Sequence, residues 1–83
     1  MYKINFSKKA EQQFGKLPQE LRIRIIKVLE RSRIRPHVHF ERLVGDKSYR
    51  LRIGNYRLIA DINNKEFQIL VIEMAHRKKV YKK

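Results

Sequence analysis

Cysteine is absent from the 83 residues, and with it go disulfide cross-links, thiolate metal sites and thiol nucleophiles. No apolar run approaches the roughly 20 residues that cross a bilayer. The opening Met1-Tyr2-Lys3-Ile4-Asn5-Phe6 lacks a signal-peptide core, so the expected location is the cytoplasm. Repeats, linkers and low-complexity tracts are missing too, which leaves one expected domain over residues 1–83 whose few strands and helices share a single core. Acidic side chains are scarce, eight against 21 Lys and Arg, for a net charge of +13. No fold requires that imbalance, and it points to a polyanionic partner.

The excess is spread along the chain. Residues 1–47 carry twelve basic and five acidic side chains and residues 48–83 carry nine and three, which excludes a detachable basic arm. No helical stretch combines a basic face with a wide aromatic one, so nucleic acid is a better expected partner than a membrane surface. Hydrophobic residues make up 42% of the chain, enough for a packed globule rather than a disordered tail. His37 and His39 follow Pro36 in what reads as a loop. They have neither a neighbouring carboxylate nor the helical i, i+4 spacing of a metal site, and no metal is expected.

Periodicity supplies the elements. Tyr2, Ile4 and Phe6 alternate with Lys3 and Asn5, as in a strand with one buried face. Ser7 suits the cap of a following helix whose Ala10, Phe14 and Leu17 share a face. Pro18 suits the first turn of a second helix over 18–33, with Leu21, Ile25, Val28 and Leu29 inward and Arg22, Lys27, Glu30 and Arg33 outward. Pro36 ends that helix region. The chain then reads as four strands: 40–44, a turn at Gly45-Asp46, alternation from Ser48 to Ile53, a Gly54-Asn55 hairpin turn of type II′, alternation from Tyr56 to Ile62, and an apolar run from Phe67 to Met74. That last run is expected to be a central strand covered on both faces, ending at His76-Arg77. The fold class is α+β, two helices on a small, mainly antiparallel sheet in the order βααββββ.

Pairing across Gly54-Asn55 sets Arg52 opposite Arg57, Leu51 opposite Leu58 and Arg50 opposite Ile59, so three arginines share one face. Like charges directly opposed destabilise a sheet by up to about 1 kcal/mol. A bound phosphate reverses the sign of that term, and the planar guanidinium fork matches phosphate oxygens in pairs. A second cluster, Ala75 to Lys83, sets Tyr81 among basic residues after the last strand, where it can stack on a base or dock on the core.

The run Tyr49-Arg50-Leu51-Arg52-Ile53-Gly54-Asn55-Tyr56-Arg57-Leu58-Ile59 is followed by His76-Arg77-Lys78-Lys79-Val80-Tyr81. Together with the opening Phe6-Ser7-Lys8-Lys9-Ala10-Glu11 and the Lys16-Leu17-Pro18 helix break, it resembles the RelE/ParE toxin superfamily over nearly the whole chain. The resemblance implies two helices packed on a small antiparallel sheet. For the RelE branch it implies an mRNA interferase that needs no metal or cofactor: the 2′-hydroxyl of messenger RNA in the ribosomal A site attacks the adjacent phosphate and leaves a cyclic phosphate. It also implies a RelB-like antitoxin and contact with ribosomal RNA.

Carried over by position, Arg50 and Arg52 take the places of paired basic residues, Arg57 and Arg77 match phosphate-binding arginines, and Tyr81 matches an aromatic placed against the scissile nucleotide. In RelE proper the paired positions are lysines, and an arginine does not shed its proton. Proton transfer then falls to His76, with a reference pKa of about 6.5, together with Tyr81. Glu73 either orients His76 or stands alone in a basic field. Two rival expectations remain, a ParE-like toxin acting on DNA gyrase and a nucleic-acid-binding module without catalysis.

Overall fold

A computed structural model describes residues 1–45 and 47–76. The alternating opening forms strand β1 (Lys3–Phe6), and the chain turns at Ser7 into helix α1 (Lys8–Gly15). Ser7 Oγ accepts the Ala10 N–H at 3.0 Å, satisfying a free donor of the helix start, and donates to the Ile72 carbonyl. Pro18 precedes helix α2 (Gln19–Ser32) as its cap, so the expected span of 18–33 is one residue too long at each end. Ala10, Ile25 and Leu29 are buried, with Phe14, Leu17, Leu21 and Val28 packed partly against them, as the stripes require.

Arg33 departs from the outward-facing expectation. Its Nε donates to the Tyr2 carbonyl and its backbone carbonyl accepts from Tyr2 N–H, both at 2.8 Å, which ties the start of the chain to the end of α2.

Two further expectations change after α2. Residues 36–39, read as loop, form the one-turn helix α3 (Pro36–His39), because the ring of Pro36 presets φ for a first helical position. The strand expected over 40–44 shrinks to β2 (Glu41–Arg42). Phe40 is drawn into the core, and Val44 is fully exposed in a turn where Gly45 holds φ +75°; Asp46 lies outside the described residues.

The remaining strands are β3 (Tyr49–Ile53), β4 (Tyr56–Asn63) and β5 (Gln68–His76). Sheet order is β1-β5-β4-β3-β2. Strands β2 to β5 form the expected antiparallel meander, and β1 closes the sheet by running parallel to β5, with Ile4 beside Ile69 and Phe6 beside Val71. Between β3 and β4, Gly54 holds φ +60° while Asn55 has no positive φ, the type II′ pattern. A side chain at Gly54 would also meet the Arg24 guanidinium at 3.2 Å.

Strand β5 carries the main correction. Val71 pairs with Ala60 and Glu73 with Ile59, so Ile72 is an extra residue in a bulge. The side-chain alternation slips there by one: Ile69 and Val71, then Met74, point to the buried core, while Leu70 remains 39% exposed. The continuous apolar run is thus two alternations joined out of phase, not a strand covered on both faces. Beyond Phe6 the edge of β5 is closed by α1, through the Ser7 bond to Ile72 and a Gln13 Oε1 that accepts the Met74 N–H at 2.6 Å.

Replacing Ser7 by Ala removes both the cap of α1 and its tie to the bulge. The expected cost is about 1–2 kcal/mol, read as a lower urea midpoint with an unchanged m-value.

Candidate nucleic-acid interface

Strand register divides the sheet into two chemically different faces. Towards the helices point Leu51 and Ile53 of β3, Leu58 and Ala60 of β4, and Ile69, Val71 and Met74 of β5, all buried in one cluster with Ala10, Ile25 and Leu29. Away from them point Arg50 and Arg52, Arg57 and Ile59, and Glu73 and Ala75. Arg52 stands opposite Arg57, and Arg57 in turn stands opposite Ala75, whose methyl leaves room beside the guanidinium. Directly opposed residues keep their Cβ atoms about 4.5–5.5 Å apart. The expected arginine row is therefore present, in the register read from the hairpin.

The three arginines sit in different surroundings. Arg52 is exposed, Arg50 is partly covered, and Arg57 is only 5% exposed although it lies on the face away from the core. Burying a guanidinium costs several kcal/mol unless its charge is compensated, so a position that retains one there is built around charge.

Arg50 is engaged on its outer side. Glu41 of β2 lies directly across from it, and its carboxylate accepts from Arg50 Nη2. That hydrogen bond, then the charges of Arg50 and Arg52, hold the Glu41 carboxyl below the usual carboxylate range. Arg50 Nε is buried and has no hydrogen-bond partner among the described residues.

The sequence reading missed Glu41. The signal was present in principle: a tight 43–48 connection pairs residue 42 with 49 and residue 41 with 50, and opposite charges at 41 and 50 would then face each other. Reading the strand as 40–44 hid that register.

His76 is not brought to the arginines. It pairs with Tyr56 in the row of Ile53, on the helix side, and its ring meets the Tyr56 ring edge-on at 5.2 Å. There it lines a pocket with Gln13, Lys16, Leu17, Tyr56 and Met74. The bulge is the cause. An unbroken alternation from Ile69 and Val71 would put His76 on the arginine face; the extra residue at Ile72 turns it to the other.

Glu73 does not orient His76 either. It remains on the arginine side and accepts from Lys9 Nζ of α1 at 3.2 Å. Arg77 and Tyr81 lie outside the described residues.

His37 and His39 do not converge on a metal site. His37 Nε2 is 2.8 Å from Asn64 Oδ1 and its ring packs edge-on against Tyr49, a structural role at the opposite end of the sheet. Among the described residues no cluster of His, Asp and Glu is arranged to hold a metal ion, and no helix is long and apolar enough to cross a membrane.

Comparison with known proteins places this geometry. The sequence model of the ParE toxin of type II toxin–antitoxin systems matches residues 4–81. No curated protein sequence matches the chain. Among solved structures it is similar to the intact Escherichia coli RelBE toxin–antitoxin complex, at 21% identity and TM-score 0.80, over 92% of this chain and 96% of the other. It is likewise similar to the archaeal RelE–RelB complex of Pyrococcus horikoshii, at 23% identity and TM-score 0.76, over 92% and 94%. The isolated Escherichia coli RelE toxin matches at 20% identity and TM-score 0.76, over 92% and 84%. At these identities the likeness is one of fold.

Two outcomes are expected from the charge arrangement. Arg52→Thr removes the cation opposed to Arg57 and should raise stability by about 0.2–1 kcal/mol, seen as a higher urea midpoint. In an NMR titration the Glu41 carboxyl should have its midpoint below the ordinary range and return towards it in Arg50→Met. Because the folded-state value is depressed, the ion pair's contribution is present at neutral pH and is lost as pH falls through that value.

Proposed function

This chain belongs to the ParE toxin family of type II toxin–antitoxin systems, within the RelE/ParE superfamily, and from that premise we propose that it is an endoribonuclease of the RelE kind, cutting messenger RNA on the ribosome in the cytoplasm. The observation that carries the proposal is the arginine row. Three guanidinium groups on one sheet face, two of them directly opposed across a hairpin and one of them buried, gather positive charge and forked donors in an arrangement that suits a phosphate.

In the proposed reaction the 2′-hydroxyl attacks its own 3′-phosphate, the bond to the leaving 5′-oxygen breaks, and a 2′,3′-cyclic phosphate remains. The proton leaves the 2′-oxygen and another reaches the 5′-oxygen, so the atoms balance without a metal or a water molecule. Arg50, Arg52 and Arg57 neutralise the developing charge on the phosphorane, and Arg77 joins them from the residues beyond β5. Arginine cannot serve as the base. The proton work is assigned to Tyr81 and to His76, the latter acting across the rim of the strand end from the helix side rather than from within the phosphate site. Tyr81 also stacks against the scissile nucleotide. Two of the solved structures named above are RelE–RelB complexes, which supports a RelB-like antitoxin as partner, its acidic segments covering this basic chain. Ribosomal RNA is the remaining proposed contact.

A second reading, gyrase inhibition, is favoured by the name of the matched family. Retention of Arg50, Arg52 and Arg57 in one row supports the ribonuclease instead, since gyrase inhibition gives no reason to keep opposed cations.

Primer extension on ribosome-programmed messenger, run beside a gyrase supercoiling assay, separates the two. The wild-type protein should cut within the A-site codon and leave supercoiling untouched; the reverse pattern overturns the proposal. Arg52→Met and Arg57→Met should each lower cleavage by about 10²–10³-fold. His76→Gln should slow cleavage without weakening RNA binding, and unchanged cleavage would remove His76 from the mechanism.

A further inference from the structure

The arginine row is occupied at one end before any substrate arrives. Glu41 faces Arg50 across the β2–β3 ladder and holds its Nη2. We infer that Glu41 is a built-in counter-ion that an RNA phosphate must displace from Arg50, making it a specificity-determining residue for entry to the arginine face. The inference rests on the reading of Arg50 as a phosphate ligand.

Four observations carry it. The two partners are unequally held: the Arg50 side chain is 20% exposed, the Glu41 side chain 68%. The carboxylate is thus the partner that can swing into water at little cost, while the guanidinium stays in place. Glu41 also sits on the shortest strand, since β2 has two residues, lies at the sheet edge and pairs in register through Glu41 to Arg50 and Arg42 to Tyr49.

Third, Glu41 leaves the guanidinium incompletely used, because Arg50 Nε is buried with no hydrogen-bond partner among the described residues. A phosphate offers several acceptor oxygens to a fork of Nε and Nη2, a two-point contact that the single bond from Nη2 to the carboxylate does not make. Fourth, the Glu41 carboxyl feels Arg52 as well as Arg50 and is held in its charged form, so it opposes an incoming anion at both of these members of the row.

The benefit is selectivity. A chain of net charge +13 attracts any polyanion. A carboxylate seated on the phosphate site raises the threshold for weakly held anions and is overcome only by a phosphate that also engages Arg52 and Arg57. Discrimination of this kind comes from the repulsive element rather than from an added contact.

The test uses the full chain and a short 2′-O-methyl oligoribonucleotide, which binds but cannot be cut because its nucleophile is blocked. Affinity is measured across a salt series for the wild type, Glu41→Gln, Arg50→Met and the double variant. Glu41→Gln should bind about two- to fivefold tighter. Its log–log salt dependence should steepen by about 0.7, the increment for one added phosphate contact on a single strand. In the Arg50→Met background the same change should have no such effect.

Unchanged or weaker binding by Glu41→Gln, with Arg50→Met clearly impaired, overturns the counter-ion while leaving the phosphate site standing. Tightening of the same size in both backgrounds also overturns it, as a general field effect. Wild-type affinity in Arg50→Met sinks the inference together with the site reading on which it rests. Thermal unfolding of each variant, with Glu41 on the surface, shows that these differences are not losses of fold.

Discussion

The side-chain alternation of the β3–β4 hairpin, held in register by Gly54-Asn55, is the constraint on which both fold and site depend. The same register that sends Leu51, Ile53, Leu58 and Ala60 into the core sends Arg50, Arg52 and Arg57 to the other face. A slip of one residue would exchange the two sets and bury the arginines among the helices, at a cost no small domain can carry. Core burial and the arginine row are therefore not separable properties of this hairpin. The turn residue with φ +60°, where a side chain would meet the Arg24 guanidinium, holds that register in place.

The bulge at Ile72 is the second determinant, and it acts by parity. It keeps Met74 in the core after Val71 and turns His76 to the helix side, where Tyr56 and the end of α1 receive it. One end of the sheet thus presents two surfaces, arginines on one side and an imidazole–phenol pair on the other, separated by the thickness of a strand layer. On the proposed reading, a phosphate among the arginines lies across the strand layer from His76, so a proton exchanged between them passes over the strand end.

Charge is distributed with a similar division. Among the described residues the arginine face has its own carboxylates, Glu41 on Arg50 and Glu73 on Lys9, which reduce its net excess. The outer side of α2 has less compensation: Arg24, Lys27 and Arg31 are exposed and make no ion pair among the described residues, while Arg33 is paired with Glu30. The positive field of the described residues comes in good part from the helices, and the sheet supplies the ordered arginine row. Long-range attraction and local recognition are different electrostatic tasks, and here they fall to different layers.

Much of this was readable from residue order because it depends on local periodicity. The two amphipathic helices, the Ser7 cap, the type II′ turn and the opposition of Arg52 and Arg57 are each set by residues within a few positions of one another. Three features were not readable, and each depends on partners distant in sequence. The parallel docking of β1 beside β5 joins residues more than sixty positions apart. The bulge at Ile72 exists only relative to the register of β4, so the side taken by His76 could not be counted from the sequence of β5 alone. The shortening of β2 to Glu41–Arg42 goes with burial of Phe40 in a core to which the helices contribute. Residue order alone sets which side chains share a face wherever alternation is unbroken; where it breaks, long-range strand pairing sets the face each chemical group joins, because an extra residue inverts every position after it.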